Sequence, residues 1–100
     1  MLVITRFRSS ATPDLRARLD EALALFAAQP GFVDGGVGRN VDDPDLWVLQ
    51  TRWDGVGSYR RALSSYDVKV GAWETLGRAI DEPGAYEVLR PGAPSDAAEA

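Results

Sequence analysis

From Phe32 to Trp53 the chain reads FVDGGVGRNVDDPDLWVLQTRW, and the fold turns on how this stretch is read. Its second half, Leu46 to Trp53, is rich in β-branched and aromatic residues and alternates. Trp47, Leu49, Thr51 and Trp53 share one face, with Leu46, Val48, Gln50 and Arg52 on the other. The first half, Phe32 to Asn40, is a weaker strand. Gly35, Gly36 and Gly38 cost order there and mark a bulge or a close approach by another backbone or a ligand. Between the halves, Val41-Asp42-Asp43-Pro44-Asp45 has turn chemistry, so the two pair as an antiparallel hairpin.

Helical patterns flank the hairpin. Upstream, Leu15, Leu19, Ala22, Leu23, Phe26 and Ala27 recur at helical spacing, with Thr12 as N-cap, Pro13 in the first turn and Gln29-Pro30-Gly31 as the stop. Asp14 and Arg18 form a surface pair one turn apart. Downstream, Asp54 to Ser65 predicts a capped turn and a short helix over Tyr59, Ala62 and Leu63. A break near Tyr66-Asp67 precedes a helix from about Val68 to Ile80 with the stripe Val70, Trp73, Leu76 and Ile80. Strands at Leu2–Arg8 and Tyr86–Arg90 close the pattern, with Glu82-Pro83-Gly84 as a loop. The order β-α-β-β-α-β predicts an α+β, ferredoxin-like domain with an antiparallel sheet over residues 1–90, and a polar, disordered tail over 91–100. Strand one is apolar on both faces, Val3, Thr5 and Phe7 against Leu2 and Ile4. Helices would cover one side of the sheet and a second layer the other.

Composition narrows function. One hundred residues, 45% hydrophobic and 26% charged, make one globular domain with too little bulk for a second core. A domain this small buries only about two thirds of its unfolded surface, so spare apolar surface favours association. Eleven basic against fifteen acidic residues give a net charge of −4, which argues against a general nucleic-acid binder. No cysteine and no histidine occur. That excludes disulfides, thiolate metal sites, a cysteine nucleophile and a Ser-His-Asp triad, along with the usual ligand of zinc and haem. No metal site and no cofactor are expected. MLVITRFR lacks a signal peptide's apolar length and no apolar run approaches the ~20 residues of a membrane helix, so a cytoplasmic protein without membrane contact is expected.

Phe7, Trp47, Trp53, Tyr59 and Trp73 are either core or the lining of a cavity for a flat, hydrophobic ligand. The polar groups available to such a cavity are Arg6, Asn40, Gln50, Arg52 and Tyr66. Arg52, beside Trp53, would meet an anionic or phenolate ligand, or else make a strand-face salt bridge or a dimer contact. Asp42, Asp43 and Asp45 read as a turn rather than a cation loop. Gly35-Gly36-Val37-Gly38 is no phosphate loop, because no helix follows and no Lys is placed to meet a phosphate.

The run from Gln29 to Leu63, QPGFVDGGVGRNVDDPDLWVLQTRWDGVGSYRRAL, resembles the antibiotic-biosynthesis monooxygenase family: PGF opens strand two, DDP turns the hairpin, and Trp53 closes strand three before a helix carrying an aromatic. AYEVL, Ala85 to Leu89, also fits, so the resemblance spans about residues 2–90. It implies a homodimer whose two sheets pack into an α/β barrel, with a cavity in each subunit between sheet and helices. It also implies oxidation of aromatic polyketides by O₂ without metal or flavin. The related haem-degrading branch needs a His, a Trp and an Asn at positions that fall near Gly71, Ala62 and Thr5, so haem degradation is not expected. Within this resemblance Asn40, Arg52 and Trp53 are the candidate catalytic residues, being the nearest of the types that act in the family, although no fixed motif matches them. Thr5, Phe7, Trp47, Tyr59, Tyr66 and Trp73 are the candidate substrate-binding residues. The expected activity is a cofactor-independent monooxygenase for a small aromatic or polyketide-like substrate. The alternatives are a non-catalytic dimeric binding protein for a small ligand, and an isomerase or cyclase. Polar side chains converging on the cavity would favour chemistry; a purely apolar lining would favour binding.

Overall fold

The computed structural model describes residues 1–93. Strands β1 (Leu2–Arg8), β2 (Phe32–Arg39), β3 (Leu46–Trp53) and β4 (Ala85–Tyr86) form one sheet in the order β2-β3-β1-β4 with every neighbouring pair antiparallel. Helices α1 (Leu15–Ala27), α2 (Val56–Ser64), α3 (Tyr66–Gly71) and α4 (Trp73–Leu76) complete the ferredoxin-like α+β fold. Most of the expected tail, from residue 94 on, lies outside the described residues.

The hairpin closes for a local reason. The Asn40 side-chain oxygen accepts the amides of Asp42 and Asp43, and Leu46 N donates to Asp43 O, so the five-residue turn satisfies its own backbone. A register shift between Phe32 and Asp34 marks a bulge. The Leu49 face of β3 meets α1: Val3, Phe7, Leu19, Phe26, Leu49, Trp53, Ala62 and Val68 form the buried core.

Four local expectations are corrected. First, α1 starts at Leu15, not at Thr12-Pro13. Thr12 is extended and its buried hydroxyl caps nothing, while Asp14 occupies the N-cap position in the left-handed region at φ 56°. With Asp14 turned this way, Arg18 donates to Pro13 O, and the helix's surface ion pair is Arg16 with Asp20. Second, the helix expected over 68–80 breaks at Ala72, where φ is −129°. The break turns Val68, Ala72 and Thr75 inward and leaves Val70 and Trp73 outside. Third, α4 stops at Leu76, and the Ile80 amide instead donates to Arg6 O on the edge of β1. Fourth, β4 holds only two residues. Tyr86 pairs with Leu2, the first residue of β1, and beyond it no strand remains to pair with.

The second layer expected over the sheet is not supplied by the described residues. On the face away from α1, Leu2, Ile4, Leu46, Val48 and Gln50 are partly exposed and Arg52 is exposed. Among the described residues no helix is long and apolar enough to cross a membrane.

Candidate functional site

A cavity of about 300 Å³ lies under the free edge of β1, between α2 and the connection from α4 to β4. Val3, Tyr59, Leu63, Leu76 and Ile80 supply apolar walls, and Thr5 adds a hydroxyl. The wall on the edge side is a strap, Ile80 to Gly84. Two backbone bonds tie it to β1: Ile80 N to Arg6 O at 2.9 Å and Ile4 N to Gly84 O at 2.7 Å. A Cβ on Gly84 would stand 2.7 Å from Ile4 O, so glycine lets the strap approach this closely.

Thr5 and Tyr59 are the cavity's uncharged polar lining residues. The Thr5 and Tyr59 hydroxyls make no side-chain hydrogen bond among the described residues. The Tyr59 ring leans on Trp53 and Phe26, with centroids 5.8 and 6.5 Å away, which fixes it over the core. Burial pushes its phenol above the ordinary value, so Tyr59 stays protonated and able to donate. An ion pair on the open-face side of β1 joins the strap to the strand. Arg6 Nε and Nη2 donate to the two Glu82 carboxylate oxygens at 2.7 and 2.6 Å, a bidentate fork that carries the strap against β1. The hydrogen bond from Arg6 holds the Glu82 carboxyl below its usual range, and the same bond raises Arg6. A second groove, about 380 Å³, continues outward past Tyr59, Leu63 and Ala85 to Val56, Arg60 and Tyr86.

The sequence candidates separate into several places. Thr5 and Tyr59 meet in the cavity. Asn40 and Trp47 meet at the far end of the hairpin, in a shallow pocket of about 220 Å³ with Arg6 and Arg39, where Arg39 stacks over the Trp47 ring at 5.6 Å. There the Asn40 oxygen is engaged by the turn, and Trp47 Nε1 donates to Pro44 O. Arg52 lies on the open sheet face in a bidentate pair with Asp34, which that hydrogen bond keeps below its ordinary pKa. Trp53 and Phe7 are buried in the core, and Trp53 Nε1 donates to the buried Thr51 hydroxyl at 2.9 Å. Tyr66 is 78% exposed, and Trp73 is half exposed with its Nε1 on Leu63 O and Lys69 above its ring. Asn40, Arg52 and Trp53 therefore do not converge on one site. Glu82, Leu63, Leu76 and Ile80 line the cavity without having been singled out as site residues. Leu76 and Ile80 were legible as apolar stripe positions, but no local signal brings the Glu82 loop to β1.

Among the described residues no cluster of three or more carboxylates stands ready to hold a metal ion. The chain's topology and this cavity define a ferredoxin-like domain with a chamber between sheet and helices. Residues 1–72 match the antibiotic biosynthesis monooxygenase family, and the chain belongs to it. No curated protein matches the chain. Among solved structures, a variant of SnoaB, a cofactor-independent oxygenase from Streptomyces nogalater, superposes with a TM-score of 0.77 at 24% identity, covering 90% of this chain and 93% of that one. Another SnoaB structure gives 0.69 at 25% identity, covering 90% and 95%. Rv0793 from Mycobacterium tuberculosis gives 0.68 at 24% identity, covering 95% and 97%.

Proposed function

We propose that the chain is a cofactor-independent monooxygenase that oxidises a small, flat aromatic or polyketide-like compound in the cavity under β1. The observation that carries this reading is the pairing of apolar walls with Thr5 and Tyr59, whose hydroxyls have no hydrogen-bond partner among the described residues. Family membership supports the same class of chemistry. In the reaction, a phenol or anthrone-type ring loses a proton and the electron-rich anion passes an electron to O₂. The two radicals combine at carbon, and the peroxide collapses, so that a CH₂ group and O₂ become a ketone and water. The substrate is the reductant and no other electron source is needed. Tyr59, kept protonated by burial, donates to the oxygen on which negative charge develops, and Thr5 holds the same edge of the ring. Glu82, held as an anion by Arg6, is a weak base, so the proton leaves to water through the substrate's own acidity.

The chain would act as a homodimer. Leu2, Ile4, Leu46 and Val48 form an apolar strip on the sheet face that no described element covers, flanked by the Arg6–Glu82 and Arg52–Asp34 pairs. A second copy laid face to face buries that strip. Light scattering at micromolar concentration should give twice the chain mass, and a monomer mass would refute the dimer.

A second reading, a non-catalytic binding protein, is favoured because among the described residues no carboxylate other than Glu82, itself paired with Arg6, lines the cavity. Oxygen uptake separates the two. Phenols and anthrones that raise the melting temperature by linkage should consume O₂ without added metal or flavin. Tyr59→Phe should lower that rate by about tenfold or more while leaving the fold intact. Binding without oxygen uptake would replace the oxygenase reading with the binding one.

A further inference from the structure

The chamber and the groove of about 380 Å³ beyond it share Tyr59, Leu63 and Ala85 as lining residues, so the two spaces adjoin. On α2 the groove is bounded by Val56, Tyr59, Arg60 and Leu63, which stand at i, i+3, i+4 and i+7 on one side of the helix. Tyr59 and Leu63 belong to the chamber as well, whereas Val56 and Arg60 line only the outer space. Ala85, Tyr86 and Glu87 bound the groove from the β4 side, and the Tyr86 hydroxyl is already engaged with Pro83 O. Arg60 is also uncommitted. Of the other arginines that line a cavity or groove, Arg6 is paired with Glu82, Arg52 with Asp34, and Arg39 lies over the Trp47 ring. Arg60 makes no ion pair among the described residues, and Glu87, the carboxylate that lines the same groove, is not bonded to it. A guanidinium beside an apolar groove suits a carboxylate, whose two oxygens match its planar fork, and an unpaired one has no partner to be displaced first.

We infer that chamber and groove form one elongated site for an aromatic compound with an acidic side chain, and that Arg60 is the specificity-determining residue that meets the side chain's carboxylate. This rests on the proposed function, whose ring occupies the chamber, and narrows its substrate class to ring compounds bearing an acid. Arg60 takes no part in bond making. It sets which way round the ring enters, with the reacting edge toward Thr5 and Tyr59 and the acidic chain outward past Leu63 and Ala85. Glu87 opposes it from the same groove, so the preference that Arg60 creates is that of an exposed ion pair, modest and screened by salt. Arg60 is exposed, and its replacement leaves the core untouched.

The test uses a hydroxynaphthalene bearing a propionate side chain on the ring remote from the hydroxyl, and its propionamide counterpart. Dissociation constants are measured by calorimetry at neutral pH for the wild type, Arg60→Gln, Glu87→Gln and Tyr59→Phe, with oxygen uptake read in parallel. The wild type should prefer the carboxylate by about fivefold, the upper size of an exposed ion pair, and lose most of that preference at high salt. Arg60→Gln should erase the preference by weakening the carboxylate ligand alone, and Glu87→Gln should widen it by about twofold because a like charge is removed. Tyr59→Phe should weaken both ligands equally, as a ring seated in the chamber requires. A wild type without the preference, or an Arg60→Gln variant that keeps it, would overturn the inference while the chamber remains a ligand site. A Tyr59→Phe variant that binds both ligands as the wild type does would put the ring elsewhere and overturn it too. The preference without oxygen uptake would uphold the inference and overturn the oxygenase reading. Failure of both ligands to bind the wild type would remove the chamber as a ligand site and the inference with it.

Discussion

Trp53→Phe is the substitution that most directly distinguishes a core tryptophan from a reacting one, and its cost follows from the contacts. Trp53 is 2% exposed, edge-on to Phe26 and Phe32 with centroids 5.8 and 5.5 Å away, and tilted against Tyr59. A phenyl ring keeps part of this packing but leaves a space on the order of 40 Å³, worth about 1 kcal/mol. The hydrogen bond from Nε1 to Thr51 Oγ1 is lost, about 1 kcal/mol, and the buried Thr51 hydroxyl is stranded, about 1 kcal/mol more. The expected loss is about 3 kcal/mol, or a fall of roughly 12–24 °C in Tm for a domain of this size. Urea and thermal unfolding followed by circular dichroism should show it with an unchanged m-value. Adding Thr51→Val removes the stranded group and should recover about 1 kcal/mol, a coupling that a double-mutant cycle reads directly. A loss below about 1 kcal/mol, or wild-type stability with abolished oxygen uptake, would refute the reasoning and make Trp53 a group that meets the ligand.

Thr12→Val should raise stability by about 1 kcal/mol, because the buried Thr12 hydroxyl has no hydrogen-bond partner among the described residues and valine has nearly its shape; a destabilised variant in the same urea assay would count against it. Gly31→Ala should cost at least about 2 kcal/mol. Gly31 sits at φ 89°, and a Cβ there would fall 2.3 Å from Ser58 Oγ, so soluble variant of normal stability would be evidence against this geometry. Stability should also be lost at both ends of the pH range. Asp34, Asp45 and Glu82 are lowered by hydrogen bonds from Arg52, Ser9 and Arg6, so their contribution is present above the ordinary carboxylate range near pH 4 and lost as pH falls through their depressed values. Tyr59 is raised by burial, so its contribution is complete below the ordinary value of 10.0 and lost as pH rises toward its folded pKa. Urea midpoints measured across pH should therefore form a plateau from about pH 5 to 9; a midpoint that climbs below pH 4 would contradict the acid limb.

Local chemistry was enough for much of the architecture. The strand from Leu46 to Trp53 was legible to the residue because its alternation reports one buried face, and the hairpin because turn residues satisfy their own backbone over a few positions. The position of α1 followed from apolar spacing, but its first residue did not, since Thr12 is buried in an extended conformation and Asp14 takes the left-handed one before the helix begins. The break at Ala72 and the two-residue β4 escaped a linear reading for the same kind of reason. One depends on the packing of α3 and α4, the other on where β1 begins. The site was harder still. Thr5 and Tyr59 were two of the six candidate binding residues, and the fold brings them into one cavity. Asn40, Arg52 and Trp53 were grouped by type and nearness along the chain, yet alternation sends Arg52 and Trp53 to opposite faces of β3 and the turn engages Asn40. Spacing along a chain determines which face of an element a residue takes. Only the return of the strap from α4 to β1, a contact across 76 positions between Arg6 and Glu82, decides which faces enclose a chamber.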